Sequence, residues 1–383
     1  MMRRLLVLVL LASLSGCSWI SGLFSSDDPR KPVELTPIKS TLDVKPLWNF
    51  SVGSGERAFF SPAISGDSVY VAASDGTIAR LSAATGAVTW RIKLDEGLGA
   101  GVGAENGIIA VANRNGEVIA LDTNGKPLWR AATNGEVLSV PAIGNGLVVA
   151  RTTDGRFLGF DATSGARRWL FSRPSQPLVL RSAPGIALGN GNVYAGLASG
   201  KLIALTQSNG ALHWEAAVAI PKGATELERV VDVMGTPLLG PRDVCVATFQ
   251  GRVGCFTLDS GTAVWGRDIS TSTGIGMDTR NAYVTDDRSV VQAFSRLGGA
   301  NLWKNDKLLY RELTAPVPMG NSVVAGDYQG VLHWFSKDDG AFLARVTTDG
   351  SPIRIPAVAI NSAAHPTIVV QTRAGGVFAF TTE

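Results

Sequence analysis

The sequence is poor in the residues that usually carry chemistry or bind nucleic acid. Its 383 residues include three cysteines and three histidines, and charged residues make up 17% of the chain, with a net charge of +3. His213, His333 and His365 have no acidic or cysteine neighbours at the spacing of a metal site. No arginine-rich stripe is present. We therefore predict neither a metal site nor a nucleic-acid partner.

Helical periodicity and catalytic motifs are also missing. No stretch keeps a 3.6-residue apolar period long enough for a helix. The glycine-rich run 99–103 does not open a helix, so it is not a phosphate loop. Ser–His–Asp or Cys–His machinery cannot be assembled from the motifs present. These absences predict an all-β protein that is not an enzyme and holds no cofactor.

What the sequence does contain is a repeat of the form Gly-x-x-x-Trp. The copies lie at 86–90, 125–129, 165–169, 210–214, 261–265 and 299–303. A seventh copy keeps Gly340 but has Ala344 in place of tryptophan, and Trp48 is an eighth without its glycine. A period of about 40–45 residues is typical of four-stranded propeller blades. One tryptophan per blade, in a strand, indicates a packing role.

Each repeat is made of four short runs of β-branched and aromatic residues, separated by glycine turns. Five residues past the second turn comes a large apolar residue, such as Leu81 or Phe160, which we expect between neighbouring blades. In the sixth repeat Asp287 and Arg288 replace the turn glycine, which predicts a distorted turn there.

The two ends of the repeat array complement each other. The last repeat ends at Phe380 without a tryptophan strand, whereas the strand of Trp48 has no blade before it. Pairing of residues 47–51 beside the C-terminal hairpin would close the ring and leave no long exposed edge. We therefore predict an eight-bladed β-propeller over residues 43–383, with four antiparallel strands in each blade.

The N-terminal segment has the pattern of an export signal. Two arginines precede the apolar run 5–12, which is too short to span a membrane as a mature helix. Residues 14–17 read Leu-Ser-Gly-Cys, which resembles the bacterial lipobox. This resemblance implies removal of residues 1–16, lipidation of Cys17 and, because Ser18 follows, export to the outer membrane. Residues 17–42 then read as a lipidated, flexible tether.

Cys245 and Cys255 are predicted to face each other across a hairpin. Facing pairs without direct ladder hydrogen bonds have Cα atoms about 4.5 Å apart, near the short end of disulfide geometry. A disulfide and two buried thiols both fit the pattern, because Cys255 stands where other repeats have alanine.

Two linkers between blades are much longer than the others, at 170–182 and 215–236, and topology predicts both on one face of the disc. Long connections on an economical scaffold often carry function. The first contains Leu178, Leu180 and Arg181. From composition alone, two roles fit its leucines equally well: packing against the fourth blade, or contacting a protein partner.

The second long linker has the composition of a polar rim. It contains Glu226, Arg229 and Asp232 after Thr225, a capping-type residue, and we expect one short helical turn there. With the first linker it forms our candidate partner-binding surface.

The repeats at 121–129 and 160–169 resemble those of quinoprotein dehydrogenases, which are eight-bladed propellers that hold pyrroloquinoline quinone and calcium. That resemblance implies the fold. The chain lacks the vicinal cysteines and long insertions of those enzymes, so a periplasmic quinoprotein dehydrogenase is the alternative function rather than the favoured one.

The lipobox, the tether, the eight repeats and the two linkers together resemble the BamB family of lipoproteins over nearly the whole chain. Segments 54–55, 225–229 and 326–327 support this resemblance. It implies a scaffold of the outer-membrane β-barrel assembly machinery that binds the periplasmic POTRA domains of BamA and assists nascent outer-membrane proteins. In that family a Leu-x-Leu-Arg segment and a downstream acidic segment make the contact. They correspond to Leu178, Leu180 and Arg181 and to Asp232, while Met234 replaces the second acid.

Overall fold

The computed structural model describes residues 30–56, 58–174, 178–360 and 365–382, and within these ranges the regular elements are all β-strands. The strands form eight antiparallel sheets of four, one of which has a fifth strand added in parallel. The prediction of an all-β, eight-bladed propeller is confirmed.

The first two strands, β1 (Val44–Ser51) and β2 (Phe59–Phe60), belong to two different sheets, with blade 1 between them. Blade 1 contains β3 (Ala63–Ser65), β4 (Ser68–Ala72), β5 (Thr77–Ser82) and β6 (Val88–Lys93). Blade 2 contains β7 (Leu98–Glu105), β8 (Ile108–Asn113), β9 (Glu117–Asp122) and β10 (Pro127–Ala132). Blade 3 contains β11 (Ala142–Gly144), β12 (Leu147–Arg151), β13 (Arg156–Asp161) and β14 (Arg167–Ser172). Blade 4 contains β15 (Ile186–Gly189), β16 (Asn192–Gly196), β17 (Lys201–Thr206) and β18 (Leu212–Ala217).

The second half of the ring repeats this plan. Blade 5 contains β19 (Val233–Leu239), β20 (Asp243–Thr248), β21 (Arg252–Thr257) and β22 (Ala263–Asp268). Blade 6 contains β23 (Ile275–Met277), β24 (Asn281–Thr285), β25 (Val291–Ser295) and β26 (Asn301–Asn305). Blade 7 contains β27 (Val317–Met319), β28 (Ser322–Gly326), β29 (Val331–Ser336) and β30 (Phe342–Thr347). Blade 8 contains β31 (Val358–Ile360), β32 (Thr367–Gln371) and β33 (Gly376–Thr382), and its outer strand is β1.

The N-terminal strand closes the ring. β1 pairs antiparallel with β33, and Trp48 lies opposite Ala379. The backbone groups that β33 would otherwise expose are therefore satisfied by a strand more than 300 residues away in sequence. The predicted closure is confirmed.

Each Gly-x-x-x-Trp motif acts between two blades rather than within one. Seven indole Nε1 groups donate to a backbone carbonyl in the next blade, at 2.7–2.9 Å. Each indole ring lies on the glycine of that same turn, where a Cβ would meet it at 2.4–3.2 Å; the glycines are Gly86, Gly125, Gly165, Gly210, Gly261, Gly299 and Gly340. These glycines also have φ between 64° and 81°. Only glycine combines that backbone with so close an approach.

Blade 7 breaks this rule at Ala344, and the ring closure explains why. The turn that would receive its indole would have to join β33 to β1, but these two strands come from opposite ends of the repeat array and are not connected by a turn. The amides of Thr41 and Leu42 instead donate to the carbonyl of Leu343, and Leu42 packs in the same apolar cluster as Ala344.

Residues 33–42, which we call the strap, cross the outer side of blade 7. The Val33 amide donates to the Leu309 carbonyl at 3.1 Å, and Arg311 donates back to the Val33 carbonyl at 3.0 Å. Further along the strap, Arg345 donates to the carbonyl of Thr36 at 2.8 Å. The tether predicted for residues 17–42 thus overlaps a segment that contacts the propeller from Val33 onward.

The predicted distortion of the sixth turn is wrong. The Ser289 amide donates to the Asp286 carbonyl and the Asp286 amide to the Val290 carbonyl, as in the glycine turns. Ser289 takes the positive φ, 66°, that glycine has elsewhere. The Asp286 carboxylate supports this conformation because it accepts the amides of Arg288 and Val290.

Cys245 and Cys255 face each other on β20 and β21, with Cα atoms 4.0 Å apart, and are joined as a disulfide. With Asp243 they form the one group of three potential metal ligands among the described residues. Both sulfurs are bonded to each other, and Asp243 is paired with the partly buried Arg296. This group therefore has no ligand set to offer a metal ion.

Candidate partner-binding face

The turns between second and third strands share one face of the disc with the linkers between blades, and we call it the linker face. Both long linkers lie there, beside the turn of blade 4. The amides of Val218 and Ala219 donate to the carbonyl of Gly200, and the Val233 amide donates to that of Leu197. Both ends of the second linker are thereby fixed to the turn of blade 4.

Asp232 connects the two linkers directly. Its Oδ2 accepts the backbone amide of Leu180 at 2.7 Å, and its side chain is buried, with 5% exposed. Burial raises the pKa of Asp232, while the Leu180 amide and the nearby Arg151 partly oppose that rise. The sequence predicts Asp232 as a partner contact, but its carboxylate points inward. Its observed contact is with the first linker.

The first linker, which this hydrogen bond holds in place, presents an apolar tip. Leu178 is 46% exposed and Val179 38% exposed, whereas Leu180 is half-buried. Arg181 is exposed and pairs with Glu136 of the blade 2–3 linker at 3.1 Å. Sequence reasoning missed Val179 and Glu136, because neither belongs to the repeat and only the folded arrangement puts them beside Leu178 and Arg181.

The second linker contains the expected single helical turn. The Thr225 hydroxyl accepts the Glu228 amide at 3.3 Å, and the Glu228 carboxylate accepts the Thr225 amide at 3.0 Å. This reciprocal pair is a capping box, and it lowers the pKa of Glu228. It leaves Glu226 and Arg229 exposed around Leu227, which is 69% exposed. Met234, by contrast, is buried in β19.

A crevice of about 420 Å³ lies between blades 3 and 4 beneath the first linker. Its lining includes Leu180 and Asp232 as well as a charged group in which Glu215 accepts from Arg173 at 2.9 Å and from Lys201 at 2.6 Å. An exposed apolar tip beside a crevice with fixed charges of both signs suits a protein interface.

Two of the three histidines make contacts within the propeller. His213 contacts the carbonyl of Asp259, and His333 is fully buried between Asp327 and Arg345.

Cys17 and the proposed signal lie outside the described residues. Within the described part of the chain, no helix has the length and apolar character needed to cross a bilayer.

Comparison with known proteins agrees with this architecture. Residues 41–99 and 74–305 match the family described as outer membrane protein assembly factor BamB. The chain is 42% identical over 357 residues to the protein of that name from Burkholderia pseudomallei, which covers 93% of each chain. The crystal structure of BamB from Moraxella catarrhalis superimposes with a TM-score of 0.80 at 24% identity, covering 88% of this chain and 100% of that one.

The dehydrogenase likeness is weaker. A quinohemoprotein alcohol dehydrogenase from Comamonas testosteroni superimposes with a TM-score of 0.69 at 13% identity, covering 88% of this chain and 76% of that one. At that identity the likeness shows the propeller fold alone.

Proposed function

Because the chain belongs to the BamB family of outer membrane protein assembly factors, we propose that it is a non-catalytic scaffold at the periplasmic face of the outer membrane. Lipidated Cys17 anchors it there. The linker face binds the POTRA domains of BamA and helps nascent β-barrel proteins to fold and insert.

The braced apolar tip of the first linker is the observation that carries this proposal. Leu178 and Val179 keep roughly two fifths of their surface exposed. Covering each of them contributes about 1 kcal/mol, since full burial of such a side chain is worth roughly 1.5–3 kcal/mol. The hydrogen bond from Leu180 to Asp232 holds the tip in place before the partner arrives, which reduces the entropy lost on binding.

The charged residues have separate roles in this interface. Arg181 is exposed in its pair with Glu136, so it exchanges that weak contact for an acid or carbonyl of the partner. Glu226 and Arg229 form a polar rim around Leu227. Asp232 acts as a positioning residue, because its carboxylate is used within the propeller.

The test is co-purification with BamA from solubilised envelopes. Replacing Leu178, Leu180 and Arg181 together with alanine should weaken the complex at least a hundredfold, since three contacts of about 1 kcal/mol each are lost. The matched control is Leu297→Ala, which truncates a leucine that is 92% exposed in the β25–β26 turn on the opposite face.

Unchanged binding by the triple variant, with thermal unfolding like that of the wild type, would show that the contact lies elsewhere. Dye-linked alcohol oxidation by the purified protein, supplied with pyrroloquinoline quinone and calcium, would contradict the non-catalytic assignment.

A further inference from the structure

A second cavity, of about 350 Å³, opens at the mouth of the central channel on the linker face. One wall is formed by Gly55, Glu56 and the segment 58–60, and another by the linker into blade 8 with the β32–β33 turn. Arg181 reaches it from the blade 3–4 linker. Loops from such distant blades can meet only near the axis of the ring. β2 pairs in parallel with β7, so this segment lies inside the inner strand of blade 2.

Cationic side chains dominate this channel mouth. Arg181, Arg354 and Arg373 line the cavity, and Glu56 is the one acid among its lining residues. Glu56 is already paired with Arg114 at 2.6 Å, outside the cavity. Arg354 and Arg181 have their own acidic partners at the surface, but exposed pairs of this kind are weak and exchange readily. The cavity therefore favours an anionic occupant.

The same cavity offers an apolar wall and an unsatisfied acceptor. Phe59 and Ile355 are only partly covered and form part of the lining. Gln371, which is 5% exposed, donates from Nε2 to the Ala72 carbonyl at 2.9 Å. Its Oε1 is buried and lacks a hydrogen-bond partner among the residues that the structure describes. A buried acceptor without a donor is costly, so this atom suits a ligand N–H group.

We propose that the channel mouth binds an extended acidic peptide segment in which carboxylates are separated by apolar side chains. The carboxylates pair with Arg354 and Arg373, the apolar side chains cover Phe59 and Ile355, and a peptide N–H donates to Gln371. An acidic peptide fits better than a free anion, because only a peptide supplies all three groups. This site is additional to the proposed docking of BamA on the blade 3–4 linker.

The test uses fluorescence anisotropy with the full-length protein in detergent. The probe is a labelled, blocked pentapeptide with the sequence Asp-Phe-Glu-Phe-Asp, and its control is the amide counterpart Asn-Phe-Gln-Phe-Asn. We expect the acidic peptide to bind at least tenfold more tightly than the amide peptide. The double variant Arg354→Gln/Arg373→Gln should weaken acidic-peptide binding at least tenfold. Arg288→Gln, which removes an exposed charge from the same face in blade 6, should leave it unchanged.

Equal binding of the two peptides would overturn the proposal, and so would wild-type affinity in the double arginine variant. Competition by inorganic phosphate at the same concentration as the peptide would also overturn it, because that result indicates a simple anion site. The double variant should still co-purify with BamA, since it leaves residues 178–181 intact. The peptide site and the docking face can therefore fail separately.

Discussion

The carboxylate of Asp232 is buried at the junction of blades 3 and 4, where it accepts the amide of Leu180. An acid in a polar linker normally indicates a solvated surface or a contact with a partner. Here the second linker turns back toward blade 4, where residue 232 forms a bridge with Ala198. The side chain therefore supports the first linker from below, and an exposed residue such as Val179 takes the outer position.

Substitutions at Asp232 separate its hydrogen bond from its charge. Asp232→Ala removes the acceptor, so we expect hydrogen exchange in peptides covering 178–185 to rise about tenfold, equivalent to about 1.4 kcal/mol. BamA binding should weaken with it. Asp232→Asn keeps an acceptor oxygen and should keep both properties. Equal exchange in the alanine variant and the wild type would contradict the bracing role.

The ionisation of Asp232 adds a pH dependence. Burial raises its pKa above the ordinary value of 3.8, so the folded chain holds this proton more tightly than the unfolded chain does. The resulting stability is fully present below pH 3.8 and is lost as pH rises through the folded-state pKa. Chemical denaturation should therefore show Asp232→Asn gaining stability relative to wild type as pH rises from below 3.8 to 7. An unchanging difference would contradict the raised pKa.

Among the structural elements, the contact between tryptophan and glycine explains why the repeat has its form. In blade 3 the turn around Gly165 receives the indole of Trp129 from blade 2. The glycine and the tryptophan of one motif lie in the same blade. The glycine contacts the preceding blade, and the tryptophan contacts the following one. The repeated spacing consequently fixes the distance between one interface and the next.

Gly165→Ala tests this contact against a matched control. At Gly165, φ is 72° and a Cβ would lie 2.6 Å from the indole of Trp129. At Gly146, φ is 73° but no atom lies within 4 Å of a Cβ. We expect Gly146→Ala to cost about 1 kcal/mol from backbone strain alone and Gly165→Ala to cost roughly 3 kcal/mol. Equal losses in chemical denaturation would mean that the indole contact is unimportant.

For the whole molecule, the strap determines where the chain enters the disc. Val33 lies beside the blade 6–7 linker, on the linker face, and the chain then passes along blade 7 to start β1. The proposed lipid site, Cys17, is sixteen residues before Val33, a reach of about 55 Å at most. The described chain thus enters the strap on the face that carries the two long linkers.

Limited trypsin digestion tests the strap. Because a protease needs undocked chain around the bond it cleaves, we expect the bond after Lys39 to be protected from trypsin in the wild type. Arg345→Ala removes the hydrogen bond to the Thr36 carbonyl and should speed cleavage after Lys39 severalfold. The control is Arg267→Ala, which truncates an exposed arginine on the outer strand of blade 5. Rapid cleavage at Lys39 in the wild type would mean that the strap is not held.

The repeat pattern was enough to predict the number of blades, the four strands in each and the closure of the ring through Trp48. These features are repeated or complementary, so one local pattern of apolar runs, turns and glycine–tryptophan spacing specifies every interface. The helical turn after Thr225 was also predictable, since a capping box is local.

The pattern did not predict the inward position of Asp232, the exposure of Val179, the docking of the strap or the meeting of three arginines at the channel mouth. Each of these depends on segments that lie far apart in sequence and outside the repeat. Their positions follow from how the blades bring linkers together, and no periodic pattern along the chain records that arrangement.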